Sequence, residues 1–419
     1  MGGSAAAEVR AASARLRERG AALRKRPRAE IVGVLGAVIE QLRDAKSSLR
    51  QRLARELPEA TGFAPATLAA GLDAGFGAWS ADAFAALVQR ELESTPQRAA
   101  SGFPLTAVVL GGAIPMPSAL QLLAPLALAS PVLVRPGSHD AVTTRALKDA
   151  LEKLDPELGR AVEVVAFPHA DRDAIGALAQ ADCVVVTGGD AAVAALAERV
   201  RPSQRFVGYG HRFSIAALGR EGDLARACAA IARDVSLWDQ LGCLSPLALY
   251  AVGWRWQERA GLLDALAGEL AELALRWPLG RVPADARASR ANELATCELR
   301  SAASGDVELR RDSTGSWALL AERDSTFRGS PLYRAPRVHF VSDLAEIEAS
   351  LAPVARHLAC AGLVGFVAEQ RAEIDRLLLG LGASRLCPAG EMQAPPISWC
   401  HDGMPVLLPI ARLADAGEK

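Results

Sequence analysis

A single cysteine, Cys243, stands between a glycine and a Ser-Pro pair in the run 238–246. A long amphipathic segment ends just before this run and the apolar run 247–252 follows it, so the sequence predicts a tight turn in which the thiol can meet a substrate. Thiolates are strong nucleophiles that attack thioesters and aldehydes. Because the chain has seven cysteines and most buried free cysteines are inert, the surrounding motifs must decide whether Cys243 is a nucleophile.

Two glycine turns each follow a predicted strand and precede a predicted helix. They consist of Gly111 and Gly112 at the first turn and of Thr187, Gly188 and Gly189 at the second. Glycines at such places let backbone N–H groups and a helix N-terminus approach a phosphate or an oxyanion. The spacing is not Gly-x-Gly-x-x-Gly, so a plain structural turn stays open as the alternative at each position.

Arg135 ends a third predicted strand, 132–134, and Ser138 follows it in the next turn. An NAD-specific domain commonly holds the ribose diol with an acidic residue at this place, whereas a cation suits a 2′-phosphate. Arg135 therefore favours NADPH, with a surface arginine at a strand end as the alternative. Together the three turns describe a sheet edge at which a dinucleotide would face a thiol.

The elements that must position these residues alternate between apolar strands and helices from residue 101 onward. The predicted strands cover 105–110, 132–134, 162–166 and 183–186, and the predicted helices cover 118–129, 142–154, 172–179 and 191–200. Strands this continuously apolar predict a parallel sheet covered on both faces. Right-handed crossovers would make it a doubly wound α/β domain of the dinucleotide-binding type.

Four parts are predicted along the chain. They are a helical N-terminal region (1–100), a dinucleotide-binding domain (101–236), a second α/β domain that bears the cysteine (237–390) and a tail (391–419) that packs back on the core or on a partner subunit. Helices are expected over 31–57, 65–76, 81–93, 257–276, 284–299 and 344–358, and later strands over 307–311, 317–321, 338–341 and 362–367.

Composition narrows the class of protein. Half of the 419 residues are hydrophobic and 23% are charged, which is typical of a folded chain of two or three domains. The net charge of −1 gives no reason to expect nucleic acid as a partner. The first 55 residues hold 13 Arg and Lys against 5 Asp and Glu, which favours a solvated helical face over a binding arm.

The cysteines and the apolar segments indicate in which cellular compartment the protein is expected. Seven cysteines without regular spacing or a Cys-x-x-Cys pair argue against a disulfide framework or a metal site, so a reducing cytoplasm is expected. The uncharged stretch 99–134 is long enough to span a bilayer. Its part 105–134 contains four prolines and the pair Gly111-Gly112, which divide it into strand, turn, helix and strand, so we predict a buried core and no membrane span.

The motifs together resemble the LuxC-like acyl-CoA reductases of bacterial luminescence, a branch of the aldehyde dehydrogenase superfamily. The resemblance covers roughly residues 35–415. Its matching segments are Asp239-Gln240-x-x-Cys243-x-Ser245-Pro246, Gly112-Ala113-Ile114-Pro115, Arg135-Pro136 with Ser138, Thr187-Gly188-Gly189, and Trp399 with His401-Asp402-Gly403. It implies an aldehyde dehydrogenase-like fold in which the Arg135 turn holds the adenosine ribose and the Thr187 turn lies beside the pyrophosphate.

The resemblance also implies an activity. Cys243 would take a fatty, long-chain acyl group from acyl-CoA or an acyl-carrier thioester, and NADPH would reduce the acyl-cysteine to the free aldehyde. A homo-oligomer is expected, and an acyl-donating enzyme is a candidate partner. Two alternatives remain: an acyl-transfer protein that passes the group on from Cys243, and a non-catalytic nucleotide-binding descendant.

Two positions depart from the superfamily pattern. The general-base glutamate of the hydrolysing members falls at Gly208, so no carboxylate would activate water there, which favours reduction or transfer of the acyl group. The asparagine of the oxyanion hole falls at Ala113, and loss of one such donor typically slows acyl chemistry by about 10²–10³. The backbone N–H of Cys243 could still serve as a donor.

The remaining polar residues are weaker candidates. His401 and His211 could move protons, but an isolated histidine is more often structural or on the surface. Glu391 precedes the tail motif and is a further candidate. Trp254 and Trp256 alternate on a strand-like segment and are most simply packing residues.

Overall fold

The computed structural model describes residues 4–93 and 98–415. Residues 1–3 and 94–97 of the predicted N-terminal region and 416–419 of the predicted tail lie outside the described residues. Within the described part of the chain the α-helices are α1 (Ala5–Leu23), α2 (Arg28–Arg43), α3 (Ser48–Thr61), α4 (Pro65–Gly77), α5 (Ala81–Val88), α6 (Pro115–Ala127), α7 (Val142–Leu154), α8 (Pro156–Arg160), α9 (Arg172–Leu178), α10 (Asp190–Ala197), α11 (Leu224–Ser236), α12 (Arg259–Arg276), α13 (Ala284–Ser304), α14 (Leu344–Leu351) and α15 (Ala368–Gly380).

The strands and short helices complete the chain. The strands are β1 (Arg98–Ser101), β2 (Thr106–Val109), β3 (Val132–Arg135), β4 (Val162–Val164), β5 (Cys183–Thr187), β6 (Arg205–Tyr209), β7 (Phe213–Leu218), β8 (Pro246–Val252), β9 (Val307–Arg311), β10 (Ala318–Glu322), β11 (Arg337–Val341), β12 (Leu358–Val364), β13 (Arg385–Pro388) and β14 (Arg412–Asp415). Single 3₁₀ turns include Leu237–Gln240 and His401–Gly403.

The helix predicted over 31–57 is two helices, α2 and α3. The chain turns at 44–47, where the Ser47 hydroxyl accepts the Arg50 N–H (3.0 Å) and caps α3. A serine that offers this bond favours a helix start over continuation of the preceding helix. The N-terminal region is helical, as predicted.

The five-stranded sheet has the order β4-β3-β2-β5-β6 and is parallel throughout. Its apolar residues point alternately to two covered faces. One face packs on α6 and α7 with the N-terminal helices, and the other packs on α1, α9 and α10. The α/β class predicted from the alternating pattern is confirmed. After β2 the chain forms β3 and β4 on one side of β2, and it then returns to form β5 on the other side of β2. The direction in which strands are added therefore reverses between β2 and β5, and this place is a topological switch point.

The seven-stranded sheet has the order β13-β12-β7-β8-β11-β10-β9, and only β9 is antiparallel to its neighbour. β7 belongs to this sheet although it precedes the boundary at 236/237 expected from the sequence. The chain therefore first passes between the two large sheets in the segment 210–212. Apolar packing of β7 and β8 at the centre of this sheet holds the Cys243 segment on a rigid base.

The tail returns to the N-terminal half of the molecule. β14 pairs antiparallel with β1, and Leu407 and Ile410 are buried in the same core as the N-terminal helices. The segment 389–411 thus crosses from the seven-stranded sheet to the other half of the protein.

Residues 99–101 of the uncharged stretch lie in β1, and the rest contains β2, α6 and β3, which lie in the buried core, as the prolines indicate. Across residues 4–93 and 98–415, no helix combines the length and the apolar character that a bilayer crossing requires.

Candidate active site

Cys243 lies in a turn between the 3₁₀ helix Leu237–Gln240 and β8, as its neighbours in the sequence predict. The Ser245 N–H donates to the Gly242 carbonyl (2.9 Å), and the Ser214 hydroxyl on β7 donates to the Cys243 carbonyl (2.7 Å). A Cβ at position 242 would lie 2.9 Å from the Cδ1 of Ile114, so a larger residue there would displace the end of the Ile114 side chain. The turn is therefore fixed from both sides.

A buried ion pair holds the segment that leads to the turn. Trp238, Asp239 and Gln240 all have positive φ (57°, 50° and 63°), a conformation that costs free energy and must be held by its surroundings. The Arg334 guanidinium donates to Oδ1 of Asp239 at 2.9 and 2.5 Å, and the Gly280 N–H donates to Oδ2 at 3.0 Å. Asp239 is therefore a structural member of the cysteine motif.

Gln240 has the same kind of role. Its Nε2 donates to the Pro246 carbonyl (2.8 Å), and its Oε1 accepts the Ala335 N–H (2.8 Å). The side chain thus bridges the two ends of the cysteine turn to the segment that precedes β11. Sequence reasoning missed Arg334, because nothing in its local sequence marks it as the partner of a residue 95 positions away.

Cys243 stands where two cavities meet. The first has a volume of about 90 Å³, and apolar side chains dominate its wall: Trp79, Met116, Leu120, Trp238, Trp399 and Met404. The second is a cleft lined by both glycine turns. Within residues 4–93 and 98–415, six residues border both spaces: Ile114, Pro117, Tyr209, Gly242, Cys243 and His401.

The glycine turns meet at the switch point between β2 and β5. The Gly111 N–H donates to Oγ1 of Thr187 (3.1 Å), and a Cβ at position 111 would lie 2.7 Å from the Thr187 carbonyl oxygen. Gly112 has φ +84°, and Gly189 immediately precedes α10. The structure thus brings all five predicted glycine-turn residues into one cleft with Cys243: Gly111, Gly112, Thr187, Gly188 and Gly189.

Arg135 and Ser138 lie at the next strand end and border neither of the two cavities. The Arg135 guanidinium lies over the Phe167 ring (5.3 Å) and donates to the Phe167 carbonyl (3.3 Å). The Arg135 Nε is buried without a hydrogen-bond partner among the described residues, and burial lowers the pKa of the guanidinium. Ser138 is exposed. Gly137 connects this turn to the cleft, since a Cβ there would lie 2.8 Å from the Gly112 carbonyl oxygen.

The Cys243 thiol is protonated at neutral pH. Burial, with the Asp402 carboxylate as a smaller cause, raises its pKa to about 11. Hydrogen bonds from the backbone N–H groups of Cys243 and Leu244 and the charge of Arg212 act in the opposite direction. A reaction that begins at this sulfur therefore needs a nearby proton acceptor.

The two departures from the superfamily pattern are visible at the site. A Cβ at Gly208 would lie 2.6 Å from Cγ1 of Val193 on α10, so this position faces the helix, while Tyr209 from the same strand borders both cavities. Ala113 lines the glycine cleft, where its methyl group offers no hydrogen-bond donor.

The tail supplies one wall of the site. The His401 ring stacks on Tyr209 (4.7 Å between centroids, 6° between planes) and lies 4.9 Å from the Trp399 ring. The Asp402 side chain is only 3% exposed and pairs with Nε of Arg212 at 3.0 Å. Sequence reasoning missed Tyr209 and Arg212, since only the fold brings β6 and the segment after it to the tail.

A carboxylate on the N-terminal half holds the tail in place. Glu91 accepts three consecutive backbone N–H groups, from Val406 (3.0 Å), Leu407 (2.7 Å) and Leu408 (3.1 Å). Sequence reasoning missed this clamp as well, because a glutamate in an amphipathic helix ordinarily reads as a surface residue.

The other candidates lie away from the junction of the two cavities. His211 is exposed at the edge of the glycine cleft, and Glu391 is exposed outside both cavities. Trp254 donates to the Gly219 carbonyl (3.1 Å) and Trp256 packs on Phe340, so both are packing residues, as expected.

Comparison with known proteins identifies the relatives of this chain. The family model described as acyl-CoA reductase (LuxC) matches residues 23–413. The long-chain acyl-protein thioester reductase 2 of Photobacterium leiognathi is 24% identical over 312 residues, which are 73% of this chain and 62% of that protein. The long-chain acyl-protein thioester reductase of Photobacterium phosphoreum is 23% identical over 71% of this chain and 59% of its own length. The chain thus spans about three fifths of these relatives.

Solved structures share the fold. The methylmalonate-semialdehyde dehydrogenase of Oceanimonas doudoroffii superposes with a TM-score of 0.77 at 12% identity and covers 98% of this chain and 90% of its own. The NAD-dependent aldehyde dehydrogenase of Sinorhizobium meliloti gives a TM-score of 0.70 at 14% identity, with 99% and 88% coverage. The fold is therefore that of the aldehyde dehydrogenases.

Proposed function

The chain belongs to the LuxC family of acyl-CoA reductases, and on this basis we propose that it reduces a long-chain fatty acyl thioester to the free aldehyde with NADPH, through an acyl group carried on Cys243. The observation that carries the proposal is the position of the thiol, which borders an apolar cavity on one side and a glycine-lined cleft on the other. A thiol in this place can receive an acyl group from one side and present it to a hydride donor on the other.

The apolar cavity suits an alkyl chain. No Asp, Glu, Lys or Arg is among the described residues that line it, and three tryptophans, two methionines and four prolines contribute to its wall. Each methylene buried in such surroundings contributes about 0.8 kcal/mol. A long chain would therefore bind more tightly than a short one for as far as the cavity extends.

The glycine cleft suits the pyrophosphate of a dinucleotide. It lies at the switch point of the parallel sheet, where the backbone of two glycine turns and the start of α10 face the open space. Arg135 and Ser138, one strand further along, are assigned to the adenosine end. The preference for NADPH over NADH rests on the Arg135 cation and on its buried, unpartnered Nε.

The chain's own groups then account for the chemistry. The sulfur of Cys243 bonds to the thioester carbonyl carbon, and the donor thiol leaves. NADPH, when bound, supplies the hydride. The backbone N–H of Cys243 holds the oxyanion, as a hydrogen-bond donor fixed in place before reaction, and cleavage of the carbon–sulfur bond releases the aldehyde.

The donor of the acyl group and the assembly are part of the proposal. Acyl-CoA and a protein-bound thioester are both proposed as donors, since the relatives' names specify acyl-protein thioesters. An acyl-donating partner enzyme, a homo-oligomer and a cytoplasmic location extend the same proposal.

A second candidate function is acyl transfer from Cys243 to another acceptor. It is favoured by Gly208, which leaves the acyl-cysteine without a carboxylate to activate water. Ala113 is the feature that supports a non-catalytic, nucleotide-binding descendant, because its methyl group offers no hydrogen bond to an oxyanion.

Intact-protein mass spectrometry after incubation with a long-chain acyl-CoA distinguishes these functions. The experiment compares the native protein with Cys243→Ala and Cys400→Ser, first without and then with NADPH. Cys400 is an exposed thiol, so its variant shows whether acylation occurs at a cysteine other than Cys243. Reduction predicts an acyl adduct on the native and Cys400→Ser proteins that NADPH discharges as aldehyde. An adduct that NADPH leaves in place supports transfer, and no adduct with any donor or chain length rejects the reductase.

A further inference from the structure

We propose that His401 is a catalytic residue, the group that takes the proton of the Cys243 thiol and returns it to the departing thiol. This inference rests on the proposed acyl-thioester chemistry and names the proton acceptor that this chemistry requires. It derives from the place of His401 at the junction of the two cavities.

Few other side chains at the site could accept the proton of the Cys243 thiol. Position 208 has no side chain, and a Cβ there would point into α10. Among the described residues that border both cavities, only Tyr209, Cys243 and His401 are titratable. Burial raises the pKa of Tyr209 to about 12, so its hydroxyl keeps its own proton at neutral pH. His401 is then the acceptor at the junction.

The surroundings of His401 keep its ring in position and neutral. The ring is stacked between Tyr209 and Trp399, and Trp399 packs with Cys243 on the same small apolar cluster. Burial holds the pKa of the imidazole below its usual range. A neutral imidazole is the form that accepts a proton.

A buried carboxylate lies close enough to stabilise the protonated imidazole of His401. Oδ1 of Asp402 lies 3.6 Å from Nε2 of His401, and neither carboxylate oxygen has a well-aligned hydrogen bond among the described residues. The charged groups that face the ring are Asp402 itself and Arg212, which pairs with Asp402 at 3.0 Å. Asp402 is therefore a positioning residue that stabilises His401 once it has gained a proton.

The proton balance closes in both half-reactions. In acylation the thiol proton passes to His401, the sulfur–carbon bond forms, the donor's carbon–sulfur bond breaks, and the departing sulfur receives the proton. In reduction a bound nicotinamide cofactor would supply the hydride to the acyl carbon, the carbon–sulfur bond to Cys243 would break, and the cysteine sulfur would take a proton from His401 after solvent has protonated that ring again.

The pH dependence of Cys243 acylation in the native protein gives a first test. Its rate constant is measured by rapid mixing with a long-chain acyl-CoA, acid quenching and intact mass. If His401 is the acceptor, the rate levels off by about pH 7, since the imidazole is neutral there. If the thiol ionises unaided, the rate continues to rise by about tenfold per pH unit toward pH 11, and the inference is overturned.

Variants give the second test. General-base removal by His401→Gln should slow acylation at neutral pH by about 10²–10⁴-fold and replace the plateau by a rise with pH. Added imidazole should partly restore the rate in His401→Ala, where the missing ring leaves room for it. Cys400→Ser, next to His401 but outside both cavities, should acylate at the native rate.

The outcomes separate this inference from the proposed function. If the native protein is acylated and reduces the acyl group, and His401→Gln acylates with the native rate and pH profile, the role of His401 is overturned. The proposed reductase function is then unaffected. No acylation of the native protein would overturn both. Thermal unfolding of each variant shows whether the fold is retained. If a variant does not fold, the pH profile of the native protein alone decides whether His401 is the proton acceptor.

Discussion

At the scale of single residues, we propose one residue, Cys243, as the reactive group and another, Arg135, as the residue that sets cofactor choice. Cys243 keeps its proton in the free protein because it is surrounded by apolar walls and a nearby carboxylate. Such a thiol resists adventitious oxidation, which requires the thiolate, and it reacts only when a substrate and a proton acceptor are both in place. Arg135 has the other role, at a distance from the thiol.

Arg135→Ala should weaken NADPH binding much more than NADH binding. A charge-assisted contact to a 2′-phosphate contributes about 1.5–3 kcal/mol, or roughly 10- to 100-fold in Kd, and NADH has no phosphate to lose. Titration of both cofactors, followed by protein fluorescence, measures the ratio. Equal losses for the two cofactors would instead mean that Arg135 only shapes the turn through Phe167.

At this scale the sequence indicates which residues share a turn when those residues are close in the chain. The cysteine turn and the two glycine turns each occupy a few consecutive positions, so local spacing was informative. Arg334, Tyr209 and Arg212 reach the site only through strand order and the return of the tail. No local pattern encodes such long-range contacts, and these residues were therefore missed.

At the scale of elements, buried polar ties hold the cysteine turn against the rest of the sheet. The Asp239–Arg334 pair joins two short segments that both have positive φ, 238–240 and 332–334. Because neither side chain is more than 2% exposed, removal of one partner would leave an uncompensated charge in the interior.

Asp239→Ala should lower the free energy of unfolding by about 3–5 kcal/mol, the usual cost of breaking a buried ion pair. Urea denaturation measures the change. Arg255→Ala is the matched control, since Arg255 pairs with Glu258 at 3.3 Å but its side chain is 79% exposed, and such a pair contributes about 0–1 kcal/mol. Similar losses in the two variants would contradict the structural role of Asp239.

Glu91→Ala should release the tail from the N-terminal half, since three backbone N–H groups would lose their acceptor. We expect faster limited proteolysis within 404–411 and a higher KM for the acyl substrate, because Met404 and Val406 line the apolar cavity. Glu93→Ala, the control, removes only an ion pair to Arg28 at 3.5 Å. Equal proteolysis of both variants would argue against the clamp.

The element predictions from the sequence succeeded for periodic segments and failed for short ones. Most helices and four of the five strands of the five-stranded sheet lie where the apolar spacing indicated. β6, β7 and β13 were not predicted, because runs of four to six residues carry too little periodicity to separate strand from helix. The break between α2 and α3 was also missed, since the apolar spacing continues across it.

At the scale of the whole molecule, three parts of the chain meet at the thiol: the five-stranded sheet with its glycine turns, the seven-stranded sheet with Cys243, and the tail with His401. Asp234 on α11 is one of the ties between them, since its carboxylate accepts the N–H groups of Gly390 (2.5 Å) and Met392 (3.1 Å). Burial raises the pKa of this carboxyl group to about 7.

The raised pKa of Asp234 predicts a pH-dependent stability. Between about pH 4 and pH 7 the folded protein holds this proton while the unfolded chain has released it, so stability falls as pH rises through this window. Asp234→Asn removes the titration, and the difference in unfolding free energy between pH 5 and pH 8 should shrink relative to the native protein. Urea denaturation at both pH values measures it, and an unchanged difference would contradict the assignment.

The most direct test of the central claim is a single turnover of isolated acyl-enzyme with NADPH that carries deuterium at the transferable C4 position. The protein is acylated with a long-chain acyl-CoA, freed of excess donor and mixed with this cofactor, and the aldehyde is analysed by mass spectrometry. We predict one deuterium at the aldehyde carbon for each acyl group lost from Cys243. Loss of the acyl group as unlabelled fatty acid, or an acyl-enzyme that persists, would contradict reduction at this thiol.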